Sequence, residues 1–219
     1  AGNTALGNGA LSANTTGPNN VGIAYLALDA NTTGSSNVAV GVNALGANTT
    51  AGNNTAVGNS ALSNNDTGTY NTAVGASAGA TIAGAGNYNT LIGAISGDAI
   101  TTGDDNTAVG RGSLSTCTTS SQNTAIGSVA LEVLTTGSSN TAVGYGAAKA
   151  ITTGTGNVSV GDIAGDTTTT GSNNVYIGYN VDASAVDGAN QIAIGNAFVS
   201  PGSNSFSFGK ASNVVYNTF

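Results

Sequence analysis

The side chains able to do acid–base or nucleophilic chemistry in this chain are few: ten carboxylates, three cations, one thiol and seven tyrosines, with no histidine. Without histidine neither a Ser-His-Asp nor a Cys-His arrangement can form. One cysteine and no histidine also leave too few ligands for a zinc site. Catalysis would therefore rest on carboxylates. Asp104 and Asp105 sit together in a turn, Asp162 and Asp166 flank a short apolar segment, and Asp182 and Asp187 stand near the end as candidates to hold a cation. Carboxylate pairs cleave glycosidic bonds when their separation suits the reaction. That chemistry also needs a cleft, and the segments between these residues are too short and uniform to build one. They read as solvated turn carboxylates, so no catalytic residue, bound metal or cofactor is expected, and the chain is read as a non-enzyme. Cys117 lies in a polar turn with no cation near it in sequence, so it reads as an unreactive free thiol. Being alone, it cannot form an internal disulfide.

Composition narrows the class of protein. Only 6% of residues are charged, against about 25% in ordinary soluble domains. The net charge is −7 with three basic residues, too few to neutralise a nucleic-acid backbone. No apolar run is long enough to cross a membrane as a helix. The chain begins in mid-repeat, without a starting Met, and reads as a piece of a longer protein. Its 34 glycines and small aliphatics would suit disorder, were the aliphatic residues not placed so regularly.

That regularity is an internal repeat. The glycine closing each Asn-Thr-Ala-Val-Gly pentapeptide serves as an anchor: Gly7, Gly41, Gly58, Gly75, Gly93, Gly110, Gly127, Gly144, Gly161, Gly178, Gly195 and Gly209, with Ala24 in the remaining slot. Successive anchors are 17 residues apart, except 18 from Gly75 to Gly93 and 14 from Gly195 to Gly209. The residue before the anchor is always large and apolar, the one two before is usually Ala, and the one three before is Thr or another β-branched or aromatic residue. Such alternation closed by glycine is a short strand. Seven before the anchor a second turn recurs, as in Thr32-Thr33-Gly34 and Thr152-Thr153-Gly154. Three and four after the anchor there is often a small residue and then Leu, as in Ala44-Leu45 and Ala130-Leu131.

A seventeen-residue unit with two or three large apolar side chains cannot fold alone, but stacked units cover one another. The spacing therefore predicts an all-β fold, a parallel β-solenoid of about twelve 17-residue coils, roughly 55–60 Å long at the usual strand spacing. Residues 1–209 form the β-roll repeat shaft and residues 210–219 an exit segment toward a C-terminal region. The residue before each anchor is expected to form a core stripe inside the rod: Val40, Val57, Val74, Ile92, Val109, Ile126, Val143, Val160, Ile177 and Ile194. Four before the anchor, Asn37, Asn54, Asn71, Asn89, Asn106, Asn123, Asn140, Asn157 and Asn174 are expected to form a ladder whose amides bond to neighbours above and below. The Ala column then lies on the opposite strand face, a bland surface suited to packing against another chain.

The motifs resemble a known family. Gln191-Ile192-Ala193-Ile194-Gly195, followed fourteen residues later by Ser205-Phe206-Ser207-Phe208-Gly209, is similar to the repeat of trimeric autotransporter adhesin heads. The seventeen-residue variant with Thr-Thr-Gly resembles repeats of bacteriophage tail fibres. The resemblance implies a left-handed β-roll, three chains side by side as a homotrimer. It also implies that the exit segment is similar to one that precedes a self-cleaving chaperone domain in phage fibres. The function implied is a structural and adhesive shaft of an extracellular fibre, a virion tail fibre taking part in host attachment. A bacterial surface adhesin head is the alternative. Expected partners are a host-surface glycan or protein receptor and other fibre or tail proteins, with no nucleic acid and no membrane insertion. Tyr145 and Tyr179, each just after an anchor, are the candidate receptor contacts. The remaining late aromatics widen the core or neck. Aligned threonines, among them Thr15, Thr32, Thr49 and Thr101, raise an ice-binding solenoid as a further alternative. Adjacent Thr in a strand would face opposite ways, which weakens that option.

Overall fold

The computed structural model describes residues 2–218, except for the side chains of Tyr216 and Thr218. These residues contain strands and turns and no helix. Ten three-residue strands come first: β1 (Thr4–Leu6), β2 (Val21–Ile23), β3 (Val38–Val40), β4 (Thr55–Val57), β5 (Thr72–Val74), β6 (Thr90–Ile92), β7 (Thr107–Val109), β8 (Thr124–Ile126), β9 (Thr141–Val143) and β10 (Val158–Val160). Longer ones follow: β11 (Val175–Asp182), β12 (Gln191–Val199), β13 (Ser205–Lys210) and β14 (Asn213–Thr218). They form one sheet in strict chain order. Each strand from β1 to β12 pairs in parallel with the next, in the register of the repeat: Val38 with Thr55, Val40 with Val57, Thr107 with Thr124. This is a parallel β-solenoid. The departure from the repeat after Gly209 has a structural counterpart: β14 turns back and pairs antiparallel with β13. Of the expected exit segment, Phe219 lies outside the described residues.

The anchor must be glycine because successive anchors nearly touch. A Cβ on Gly110, at φ +134°, would lie 2.5 Å from the carbonyl carbon and oxygen of Gly127, a distance no side chain tolerates. Ala24 is the one anchor with a Cβ, and it is held at φ 107°, outside the usual L-residue regions.

The interior corrects the expected core. The Ala column faces inward: Ala39, Ala56, Ala73, Ala108, Ala125 and Ala142 are fully buried. The expected stripe faces out. Val40, Val57, Val109, Val143, Val160 and Ile194 are half-buried. Val74, Ile92, Ile126 and Ile177 are exposed, at 36–40%. The period-two alternation of the strands holds, but the inward face belongs to the Ala column and not to the Val and Ile column. The Ala column is consequently not available for packing against another chain. The reason is the narrowness of the coil. Opposite the strand stand Leu28, Leu45, Leu62, Leu114 and Leu131, all fully buried, and they leave room for little more than a methyl. A Cβ on Gly22, in the Ala column, would already be 3.2 Å from Leu11 Cγ.

Two exceptions obey the same volume rule. Where the inward strand residue is Leu91, the facing wall carries glycines. A Cβ on either Gly79 or Gly97 would come within 2.7 Å of a Leu91 methyl. Where it is Tyr176, Gly165 faces it, and a Cβ there would be 2.6 Å from the ring. Close-packed interiors conserve volume across facing positions. A third inward column changes along the rod, from Asn31, Asn48 and Asn65 to Ile82, Ile100, Cys117, Leu134 and Ile151, all fully buried.

Candidate functional site

Two side-chain ladders and one outward face are what this fold builds. The Asn ladder lies where the spacing put it. Asn37, Asn54, Asn71, Asn89, Asn106, Asn123, Asn140, Asn157 and Asn174 are all buried, none more than 1% exposed. Each Oδ1 accepts the backbone N–H of the next Asn, as from Asn37 to Asn20 at 2.9 Å and from Asn174 to Asn157 at 3.0 Å. Each Nδ2 donates to a carbonyl in the turn of the next coil: Asn54 to Gly68, Asn106 to Ser120, Asn157 to Gly171. From Asn89 onward Nδ2 also reaches the preceding Oδ1, at 3.0–3.3 Å. The ladder is thus mainly amide to backbone, with the expected amide–amide contacts added in the later coils. Gln191 closes it: its backbone N–H reaches Asn174 Oδ1 at 2.9 Å, but its own buried amide has no partner among the described residues.

The first threonine of most Thr-Thr turns forms the second ladder, while Thr49 donates its hydroxyl to the Asp66 carboxylate. Thr15, Thr32, Thr101, Thr118, Thr135, Thr152 and Thr169 each donate Oγ1 to the carbonyl seventeen residues on. These hydroxyls hold coils together. The second threonine of each turn, such as Thr33, Thr102 and Thr153, is exposed.

The outward face carries four columns in register. The residue three before each anchor and the residue one before it form the middle. The residues five before and one after form the rims. Tyr145 and Tyr179 stand on the second rim, 60% and 51% exposed, two coils apart with exposed Asp162 between them. On the first rim Tyr70 and Tyr88 stack with ring centroids 5.2 Å apart and planes 11° apart. Reading strands and core columns from the sequence missed this pair; reading the column five before the anchor would have found it.

The carboxylates are scattered. Asp104 Oδ1 accepts the backbone N–H of Asn87 at 2.6 Å, so it serves a turn. Asp105 is exposed beside it. Asp182 is buried at the start of the longer coils, with Asp166, Thr167 and Tyr176 around it. Burial first, and then the charge of Asp166, push its carboxyl up to about 6. Among the described residues, no three His, Cys, Asp or Glu side chains come together. Cys117 is buried, 2.7 Å from Ser120 Oγ, and burial raises its thiol pKa. An open hollow at the β13–β14 end is lined by Phe208, Gly209, Lys210, Asn213 and Val215.

Comparison with known proteins finds no match for this chain among family models, curated proteins or solved structures.

Proposed function

We propose that this chain is the structural shaft of an extracellular fibre, a phage tail fibre taking part in host attachment. In this reading it is a left-handed β-roll assembled as a side-by-side homotrimer. The observation that supports it is the outward column of Val and Ile, running unbroken beside a column of Thr, Val and Ile. Apolar patches that continue over such a length mark interaction surfaces, and homo-oligomers close by rotational symmetry. The rest of the rod is suited to passive mechanical work. Its Asn and Thr ladders are hydrogen-bonded coil to coil, and most of its carboxylates are dispersed in turns.

Sedimentation equilibrium of the purified rod tests the assembly: three times the chain mass is expected, and a single-chain mass refutes it. Gold-labelled antibodies against the rod test the placement. Label along the tail fibres of phage particles is the expected result, and label confined to bacterial cell surfaces assigns the chain to an adhesin head instead. The ice-binding alternative loses support from the first threonine column, whose hydroxyls are taken up by the next coil. A thermal-hysteresis assay separates it, with no hysteresis expected.

A further inference from the structure

The two rims of the outward face match each other in a way that one chain cannot use. At the heights where Tyr70 and Tyr88 occupy the first rim, the second rim carries Ala76 and Ala94. At the heights where Tyr145 and Tyr179 occupy the second rim, the first carries Ser139 and Asn173. No height has an aromatic residue on both rims. One height carries opposite charges on the two rims. Asp105 on the first rim stands level with Arg111 on the second, both exposed. They lie at opposite ends of β7, roughly 15–20 Å apart along an extended chain, and make no ion pair with each other. The ion pair formed among the described residues is Lys149 with Glu132. Inside the rod, facing positions that touch obey this large-against-small rule, as Leu91 does with Gly79 and Gly97. The rims obey it although nothing in the single chain brings them together.

The tyrosines of the first rim also carry a backbone cost. Tyr70 and Tyr88 hold φ of 59° and 57°, a left-handed conformation that Asn tolerates better than a bulky residue. Other coils place Asn19, Ser36, Asn53 or Gln122 there.

We infer that in the assembly the first rim of each copy packs on the second rim of the next copy at equal height, with Asp105 pairing with Arg111 between chains. This rests on the side-by-side assembly proposed above. The geometry follows from symmetry. Copies related by rotation about an axis parallel to the rod keep their coils level, and their strands run in the same sense around that axis. The leading rim of one copy therefore meets the trailing rim of its neighbour. Antiparallel packing of two rods would reverse the heights and leave these matches without meaning. The partner is a second copy of this chain, and the recognition is steric at the tyrosines and electrostatic at Asp105 and Arg111.

A charge exchange tests it. Arg111→Asp puts two carboxylates at every contact, and Asp105→Arg puts two guanidinium groups there. Both positions are exposed, so the coil itself should fold. In sedimentation velocity at low salt, each single change is expected to weaken association by about tenfold, and the double exchange Asp105→Arg/Arg111→Asp to restore most of it. Independently, Ser139→Cys with Tyr145→Cys in one chain should give covalent multimers on a non-reducing gel, since facing cysteines of this kind reach disulfide distance. If the wild-type rod assembles but the double exchange stays as weak as the singles and the cysteine pair gives no covalent multimers, the rims do not meet, and the pairing fails while the assembly stands. A single-chain mass for the wild type overturns the assembly and the pairing together.

Discussion

The side-chain oxygen of Asn106 accepts the backbone N–H of Asn123 at 3.1 Å, one coil further along the rod. The Asn106 amide meanwhile donates to Ser120 O at 2.9 Å and to Asn89 Oδ1 at 3.1 Å. One buried side chain thus ties three successive coils.

Replacing it should be costly. Asn106→Ala leaves the Asn123 N–H buried without a partner and the Ser120 carbonyl with only the weak Cys117 thiol as donor; a buried unpartnered group costs about 1–3 kcal/mol. Because each repeat contacts only its neighbours, the loss should be local. Hydrogen exchange is expected to quicken in the coils around Asn89, Asn106 and Asn123 and to stay unchanged near β1 and β2. A parallel change at exposed Gln122→Ala should stay within about 0.5 kcal/mol. Equal effects from the two would remove the ladder's structural role.

The volume rule in the interior gives a second prediction. Leu91→Ala opens a cavity and should cost about 2–5 kcal/mol. Gly97→Leu alone puts a branched side chain where Leu91 already lies and should also destabilise, by about 1–3 kcal/mol. Together they recreate the Ala-facing-Leu arrangement of most coils. The double variant should therefore be more stable than the sum of the single losses in denaturant unfolding, and strict additivity would argue against direct packing.

How much of this was legible in the sequence follows from what periodicity can encode. The anchors, the strands at Val38–Val40 or Thr107–Val109 and the Asn ladder come directly from the 17-residue register. The period of two separates the faces of a strand but does not say which face is inside. The larger Val and Ile look like the core, and the answer depends on the opposite wall, where Leu45 or Leu114 already fills the narrow coil. The exchange of Leu91 for Ala against Gly97 for Leu was visible as a coupled irregularity, but only once facing columns were known. The exposure of Cys117 stays open in the sequence, because its column carries Asn31 and Asn48 on one side and Leu134 and Ile151 on the other; its burial follows the latter.

Burial of that thiol makes a third prediction. Cys117 should react slowly with thiol reagents in the native rod and quickly in denaturant, since burial both shields it and keeps it protonated. Cys117→Ile should be tolerated, as Ile100 and Ile151 occupy equivalent places. Rapid labelling of the native protein would contradict the inward placement.

A fourth concerns pH. The Asp182 carboxyl titrates at about 6 in the fold, against 3.8 for an ordinary aspartate. The folded state therefore holds this proton more tightly than the unfolded chain. Its favourable contribution is complete below about pH 4 and is lost as pH rises through 6. The difference caps the effect near ~3 kcal/mol, and solvent screening brings it lower. The coils around β11 should be more protected from exchange at pH 4.5 than at pH 7.5, and Asp182→Asn should flatten that dependence. A pH profile unchanged by the substitution would assign it to another group.

A fifth tests the outward stripe. Ile126→Asp places a charge in the middle of the exposed face, where the wild-type side chain is 40% accessible. In the proposed side-by-side assembly, the circular dichroism of the rod should be preserved while its sedimentation mass falls toward that of a single chain. Loss of fold with the mass would mean that the stripe supports the coil itself.

The direction of the sheet's hydrogen bonds has a mechanical consequence. They run along the rod, between coils, so a pull on its two ends does not shear long strands past one another. It opens one coil at a time, and between β1 and β10 each opening confronts a three-residue strand pairing, the backbone hydrogen bonds of the turns beside it, and the rungs of the Asn and Thr ladders. Such a filament resists bending and compression through its packed cross-section, yet in tension it should lengthen in small, nearly equal steps of one coil each. The first lasting resistance comes where β11 and β12 pair over seven residues.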